Sequence, residues 1–136
     1  MNIKYSMKIL NNQIIKNPKG DIIKIISKMN FNKSFKELYI TSINYGDIKA
    51  WKKHKKTNLY LMILNGKIKL VTKFKNETAC KIFNKNLKIL IKIEKNTIFG
   101  FKGLSKYKSN ILVISDLYHN KSEVNNFSLN QFNYKW

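Results

Sequence analysis

GDIKAWKKHKKTNLYLMILNG, residues 46–66, is the segment from which the architecture of this chain is predicted. It reads as two successive β-strands. Because side chains alternate between the faces of a strand, Lys52 and His54 point one way, while Trp51 and Lys53 point the other. This pattern places an ammonium group and an imidazole side by side on one face of a strand.

The second strand of this stretch is LYLMIL, residues 59–64. It is too short to span a membrane and is typical of a buried strand. Asn65-Gly66 follows it and predicts a type I′ hairpin. The alternation of Lys67 to Leu70 then predicts a further strand with one wet face. Polar side chains that face inward beside a long apolar strand are typical of a small β-barrel that holds a ligand in its mouth.

The composition indicates one domain, residues 1–136, with a core of its own, because 43% of the residues are hydrophobic. The formal charge of +20 is carried by lysine alone, with no arginine. Arginine is the preferred group for bidentate contacts to bases and phosphates, and the lysines form no single block. Both features argue against nucleic acid as the main partner. Such a chain still attracts small anionic ligands, for example a nucleotide diphosphate.

The cysteine count predicts a cytoplasmic protein. Cys80 is the single cysteine, so an intrachain disulfide is impossible. The first twelve residues contain neither a continuous apolar region nor a cleavage site typical of a signal peptide. No segment has the apolar length of a membrane helix.

Short apolar segments with turn residues between them predict an all-β sandwich or barrel. We expect an opening strand over residues 1–13, a turn at residues 17–20, and strand or helix over residues 21–29, where β-branched residues favour strand. The Lys95–Ser105 segment is expected to be a loop, and His119–Trp136 a polar tail. The remaining expected strands are Phe35–Asn44, Lys67–Lys75, Ala79–Phe83, Leu87–Ile93 and Ser109–Tyr118, with a turn at Asn84–Asn86 in which asparagine adopts the left-handed conformation.

The spacing of the opening stretch resembles the first motif of the cupin superfamily. That motif runs Gly, five residues, His, one residue, His, three or four residues, Glu, six residues, Gly. The positions on this spacing here are Gly46, Lys52, His54, Leu59 and Gly66. The resemblance implies a jelly-roll β-barrel.

Further segments resemble the dTDP-4-dehydrorhamnose 3,5-epimerase family. They include Thr97–Ser105, which resembles that family's His-Gly-Phe loop, and Ile114–Asn120 followed by Glu123. The closing Tyr134-Lys135-Trp136 resembles the family's C-terminal pattern, and Phe35–Tyr39 and Lys49–Trp51 fit its first half. The resemblance implies a short, single-domain epimerase-like cupin that binds a sugar nucleotide for surface-polysaccharide synthesis.

The family removes a proton beside a ketone with a His base, steadies the enolate with a Lys and returns a proton from a Tyr. On this resemblance the base position falls on Lys52 and an Arg position on Lys49. The enolate Lys, the Tyr and the loop His fall near Leu59, near Leu112 and on Phe99. The usual groups are therefore substituted, and the resemblance implies the pocket rather than the reaction.

We predict His54 as a general base, Lys52 as a base, an electrophile or a phosphate contact, and Tyr60 as the acid, with Tyr39 and Tyr118 as further candidates. Strand alternation places Lys49 on the other face of the strand from Lys52, unless a β-bulge intervenes. Either Asp116 or Glu123 could orient His54. The predicted substrate-binding residues are Lys49, Trp51, Asp116, Tyr118 and Phe101. No metal or other cofactor is predicted, because one pocket imidazole supplies too few ligands and His119 lies in the tail.

Two functions stay open at this point. The first is a nucleotide-sugar epimerase or ketoisomerase acting on a dTDP-4-keto-6-deoxy sugar as a homodimer. The alternative is a non-catalytic cupin that binds a sugar nucleotide or supports a partner enzyme.

Overall fold

The computed structural model describes residues 2–3, 7–27 and 34–136, and most of them lie in antiparallel strands, which confirms the all-β prediction. The strands are β1 (Asn2–Ile3), β2 (Met7–Asn11), β3 (Gln13–Ile15), β4 (Ile22–Lys24), β5 (Glu37–Ile43), β6 (Ile48–His54), β7 (Leu59–Asn65), β8 (Lys67–Phe74), β9 (Glu77–Asn84), β10 (Ile89–Ile93), β11 (Ile98–Gly103), β12 (Ser109–Ser115) and β13 (Val124–Asn126). Single 3-10 turns span Lys85–Leu87, Lys121–Glu123 and Leu129–Phe132. Among the described residues, no helix has the length and apolarity needed to cross a membrane.

Two sheets face each other. The larger has the order β1-β2-β10-β7-β12-β5, and the smaller has the order β13-β6-β11-β8-β9. Alternate side chains of each strand point between them, so both inner faces supply one core. Its buried members are Met7, Ile43, Leu59, Leu61, Ile63, Ile68, Leu70, Ala79, Phe83, Ile91, Ile93, Phe99, Phe101, Ile111 and Val113.

A short hairpin of β3 and β4 covers part of the larger sheet from outside. Its turn is the predicted one, closed by the Gly20 amide donating to the Asn17 carbonyl at 2.9 Å. Asp21 caps this turn by accepting from the Asn17 amide at 3.0 Å, and β4 follows as the favoured strand. The strand predicted over residues 1–13 is broken into β1, β2 and the start of β3, and its residues 1 and 4–6 lie outside the described residues. Residues 28–29 of the segment predicted over 21–29 also lie outside them.

The hairpin predicted at Asn65-Gly66 is wrong. β7 pairs with β10 and β12, whereas β8 pairs with β9 and β11, so the chain crosses from one sheet to the other at this point. Gly66 has φ of +85°, and a Cβ there would lie 2.2 Å from Ser109 Oγ. The Asn-Gly signal thus marks a tight corner against β12, where both the backbone conformation and the contact require glycine.

The loop predicted over Lys95–Ser105 is also wrong, because its centre forms β11, paired with β6 on one side and β8 on the other. The glycines of this segment are typical of a loop when only the sequence is considered. Gly100 instead permits a close approach, because a Cβ at this position would lie 2.4 Å from Ala50 Cβ. A strand glycine that makes room for a neighbouring strand carries the same local signal as a loop glycine.

The turn between β9 and β10 lies where it was predicted, but its left-handed residue is Lys88, with φ of 47°, and not an asparagine. Asn84 stays extended and its side chain accepts from the Asn86 amide at 2.9 Å. Asparagine therefore supports this turn as a cap instead of adopting the left-handed conformation.

Candidate functional site

One extra residue in β6 determines which side chains enter the space between the sheets. Along β11, Phe99 is paired with Lys52 and Gly100 with Ala50, so Trp51 has no partner on β11 and forms a β-bulge. Phe101 is then paired with Lys49. Because Phe99 and Phe101 both belong to the inner core, Lys52 and Lys49 both lie on the inner face. β6 therefore contains the β-bulge that brings Lys49 to the same face as Lys52.

A cavity of about 430 Å³ opens between the two sheets. Its apolar wall is formed by Leu59, Leu61, Phe99, Phe101, Ile111 and Val113. Its polar lining comes from Tyr39, Thr41, Lys49, Lys52, His54, His119 and Asn126. No Asp or Glu lines it within the described part of the chain. An apolar cavity with cations and no anion is suited to an organic ligand that carries negative charge.

His54 is held by a carboxylate behind it. His54 Nδ1 lies 2.8 Å from Glu123 Oε1, and both side chains are about nine-tenths buried, with 11% and 8% exposed. The Thr57 hydroxyl donates to the same oxygen at 2.8 Å, and the Lys56 amide donates to Oε2 at 3.0 Å. On its other side the imidazole stacks on Phe99, with centroids 6.2 Å apart. These contacts fix the ring and leave Nε2 as the nitrogen available to the cavity.

Burial would raise the pKa of Glu123, but hydrogen bonds from His54, the Lys56 amide and the Thr57 hydroxyl outweigh it, so the pKa lies below its ordinary value. Glu123 is therefore ionised at neutral pH. An ionised acceptor at Nδ1 keeps the proton on that nitrogen and stabilises the imidazolium when Nε2 takes a second proton. This is the arrangement of a general base.

Tyr39 reaches the same cavity from β5, on the sheet opposite His54. Partial burial, followed by the charge of Glu37, raises the pKa of Tyr39, which is 42% exposed, so the phenol keeps its proton at neutral pH. Beside it, Lys49 Nζ donates to Thr41 Oγ1 at 3.2 Å. A base and an acid on opposite walls is the arrangement that a proton transfer across a bound molecule requires.

The fold has counterparts among solved structures. A dTDP sugar isomerase from Desulfovibrio desulfuricans G20 superposes with a TM-score of 0.81 at 16% identity, over 92% of this chain and 85% of that one. The sugar 3,4-ketoisomerase QdtA from Thermoanaerobacterium thermosaccharolyticum gives 0.79 at 18% identity, over 90% and 88%. A dTDP-4-dehydrorhamnose 3,5-epimerase from Elizabethkingia anophelis NUHP1 gives 0.78 at 15% identity, over 93% and 77%. The chain has the cupin fold of these dTDP-sugar isomerases and epimerases. No protein-family profile matches the sequence, and a comparison with curated protein sequences finds no match.

Within this cupin barrel, Tyr60, the predicted acid, does not line the cavity. Leu59 and Leu61 point inward, so Tyr60 between them lies on the outer face of β7. There it packs with Met62 and Ile114 under the β3–β4 hairpin. Tyr39 is the tyrosine that the structure brings to the cavity. Strand alternation within LYLMIL predicts this outcome, because Leu59 and Leu61, on either side of Tyr60, line the cavity together with His54.

Two predicted binding residues also lie elsewhere. Asp116 accepts from the amide of Asn58 at 3.0 Å and from its side chain at 2.9 Å, so it supports a loop and does not line the cavity. Tyr118 is 69% exposed and borders a separate depression. Trp51 and Phe101 do line the cavity, together with Lys49 and Lys52. Of the two carboxylates considered for His54, Glu123 is the partner.

The expected polar tail is part of the site. Residues 121–126 form a 3-10 turn and β13, and Val124 pairs with His54 while Asn126 pairs with Lys52. His119, discounted at first because of its place in the tail, lines the cavity. Among the described residues, no three His, Cys, Asp or Glu side chains are grouped to hold a metal ion. Asn120 caps the 3-10 turn of this segment by accepting from the Ser122 amide at 3.0 Å.

We expect Glu123→Gln to lower the free energy of unfolding at pH 7 by about 1–3 kcal/mol, because three donors lose an ionised acceptor. The folded-state pKa of Glu123 lies below its ordinary value of 4.5, so its contribution is present above pH 4.5 and is lost as pH falls through the folded-state pKa. The advantage of the wild type over the variant should therefore shrink on acidification. Urea unfolding at a series of pH values measures it, with Glu77→Gln, at an exposed position, as the control. A constant difference down to acid pH would contradict this assignment.

Proposed function

We propose that this cupin binds a dTDP-linked 4-keto-6-deoxy sugar in the cavity and moves a proton beside the ketone. The observation that carries the proposal is the His54–Glu123 pair, 2.8 Å apart, on a cavity wall that also presents Lys49 and Lys52. Structures of the same fold support the ligand class, since QdtA is described in complex with TDP and, as a mutant, in complex with TDP-4-keto-6-deoxyglucose.

In the proposed reaction, His54 Nε2 removes the proton from the carbon next to the carbonyl, and the electron pair moves onto the carbonyl oxygen as an enolate. Glu123 holds Nδ1–H and balances the imidazolium charge. Tyr39 then delivers a proton from the opposite wall. Protonation of the same carbon on the face opposite His54, with Tyr39 as donor and the removed proton left on His54, gives epimerisation. Protonation of the former carbonyl carbon, with loss of the neighbouring hydroxyl proton, gives ketoisomerisation.

The two lysines supply the positive charge that this chemistry needs. An ammonium beside the carbonyl oxygen stabilises the enolate, and an ammonium beside the diphosphate neutralises a permanent charge. Both are exposed residues at the cavity, so water solvates them until a ligand enters. We assign Lys52, the nearer to His54 along β6, to the sugar oxygen, and Lys49 to the diphosphate.

The test of turnover is proton exchange with solvent. In deuterium oxide, wild-type protein should incorporate deuterium into dTDP-4-keto-6-deoxyglucose at a carbon next to the ketone or at the former carbonyl carbon, as followed by NMR. We expect His54→Asn to slow incorporation by about 10²–10⁴-fold, since it removes the base. Tyr39→Phe should also slow it, while Tyr60→Phe, on the outer face, should stay within about twofold of wild type. Equal effects of the two tyrosine variants would contradict the assignment of the acid.

The alternative, a cupin that binds the sugar nucleotide without turnover, is supported by one feature of the site. In the family that the sequence resembles, the base stands at the position of Lys52, and the catalytic tyrosine stands near Leu112. Leu112 packs outside the cavity here. Saturable TDP binding with no deuterium incorporation in the wild type would favour this alternative. If the wild type neither binds TDP nor incorporates deuterium, both the enzymatic and the binding function are excluded.

TDP binding tests the lysines separately from catalysis. Lys49→Ala should weaken TDP affinity by about tenfold in calorimetry, which corresponds to one lost charge contact of ~1.4 kcal/mol. Lys52→Ala should stay within about twofold of wild type, because TDP lacks the sugar oxygen to which Lys52 is assigned. Lys53→Ala is the matched control, since it removes the same charge from the outer face of the same strand. If Lys53→Ala weakens TDP binding as much as Lys49→Ala does, overall charge attracts TDP and Lys49 makes no specific contact with the diphosphate.

We also propose a homodimer and a cytoplasmic location. β5 is an edge strand of the larger sheet, and its outer face exposes Leu38 (55%) and Ile40 (60%), with Phe35 (44%) nearby. An apolar edge of this kind invites pairing with a second copy. The location rests on the single cysteine, Cys80.

For the dimer, we expect sedimentation to report twice the mass of 16.1 kDa for the wild type. Ile40→Lys should shift the protein toward the monomer, because it places a charge in the proposed interface. Ile82→Lys is the control, since Ile82 is 49% exposed on β9 in the other sheet. A monomeric wild type would overturn the proposal.

A further inference from the structure

The segment after β13 turns back over the strand that carries the site. The Phe127 amide donates to the Trp51 carbonyl at 2.9 Å, and the Trp51 amide donates to the Phe127 carbonyl at 3.2 Å. The Trp51 indole Nε1 donates to the Leu129 carbonyl at 3.2 Å. The Trp51 side chain is consequently only 1% exposed, although its residue is a bulge at the surface of a sheet. We call Phe127–Trp136 the aromatic strap.

Ring contacts add to these hydrogen bonds. Trp51 lies 5.7 Å from Phe132, 5.8 Å from Tyr134 and 5.0 Å from Trp136, measured between centroids. Lys73 Nζ, on β8, lies 5.7–5.8 Å from the centroids of Trp51, Phe132 and Tyr134. A lysine that faces three rings ties the strap to the neighbouring strand through cation–π contacts.

We propose that the aromatic strap is a positioning element for the cavity lysines: by holding Trp51 on the outer face as the bulge residue, it keeps both Lys49 and Lys52 on the inner face. A shift of pairing by one residue moves every following side chain to the opposite face of a strand. Between Lys49 and Lys52, the extra residue is what places both on the inner face. Covering the indole favours the pairing in which Trp51 is that residue.

Apart from Phe127, the strap can act on a ligand only through β6. The rings of Phe132, Tyr134 and Trp136 are absent from the cavity lining, whereas Phe127 and Trp51 belong to it. The His54–Glu123 contact forms upstream of the strap and does not use it. Loss of the strap rings should therefore affect binding through the lysines and leave the imidazole in place.

Tyr134→Ala and Tyr134→Phe separate positioning from other effects, because only the first removes the ring. At a temperature where circular dichroism shows both variants folded, Tyr134→Ala should weaken TDP binding by about tenfold and Tyr134→Phe by less than about twofold. Asn130→Ala, at an exposed strap residue, is the control. In a double-mutant cycle, Tyr134→Ala should cost little further affinity when Lys49 and Lys52 are already alanine. Strictly additive losses would overturn the proposal.

Hydrogen exchange provides a readout that does not depend on the ligand. In Tyr134→Ala, amides of residues 48–52 should exchange faster than in the wild type, while those of β7 and β12 stay unchanged. The choice of TDP rests on the proposed function; if wild-type protein does not bind TDP, that function fails and exchange alone decides the strap. Unchanged exchange over residues 48–52 would overturn the proposed role of the strap whether or not TDP binds.

Discussion

The site depends on a single additional residue in β6. Without the bulge at Trp51, alternation would send Lys49 and Lys52 to opposite faces, and the cavity would present one ammonium group instead of two. The partner strand accommodates this irregularity with Gly100, whose missing side chain lets Ala50 approach. The positions of the two lysines on β6 therefore depend on the bulge at Trp51, and the bulge depends on the small residue Gly100 on β11.

Electrostatics and packing support one another around His54. Glu123 is almost fully buried, yet it stays ionised because three donors converge on its two oxygens. Such a carboxylate would be costly in an apolar environment without those donors. It arrives on the segment that leads into β13, which pairs with the strand of His54. The pairing of β13 with β6 thus places the Glu123 carboxylate beside the His54 imidazole, which it orients.

Strand content and the pocket-facing pair could be predicted from the sequence, since His54 and Lys52 follow from alternation alone. The resemblance added the barrel. What could not be predicted are features fixed by distant residues. Asn65-Gly66 has the same local signal whether the chain returns in one sheet or crosses to another. Gly100 reads as a loop residue until Ala50 is placed beside it, and the polar segment after Tyr118 shows its order only when it pairs with β6.

Trp51 and Trp136 are the two tryptophans of the chain, and their rings lie 5.0 Å apart at a tilt of 36°. Their fluorescence therefore originates in one small region next to Lys73 instead of averaging over the barrel. Close indoles exchange excitation energy, so the two behave as one coupled chromophore. Intrinsic emission from this protein reports first on whether the chain's final residues are seated, and only secondarily on the integrity of the sheets.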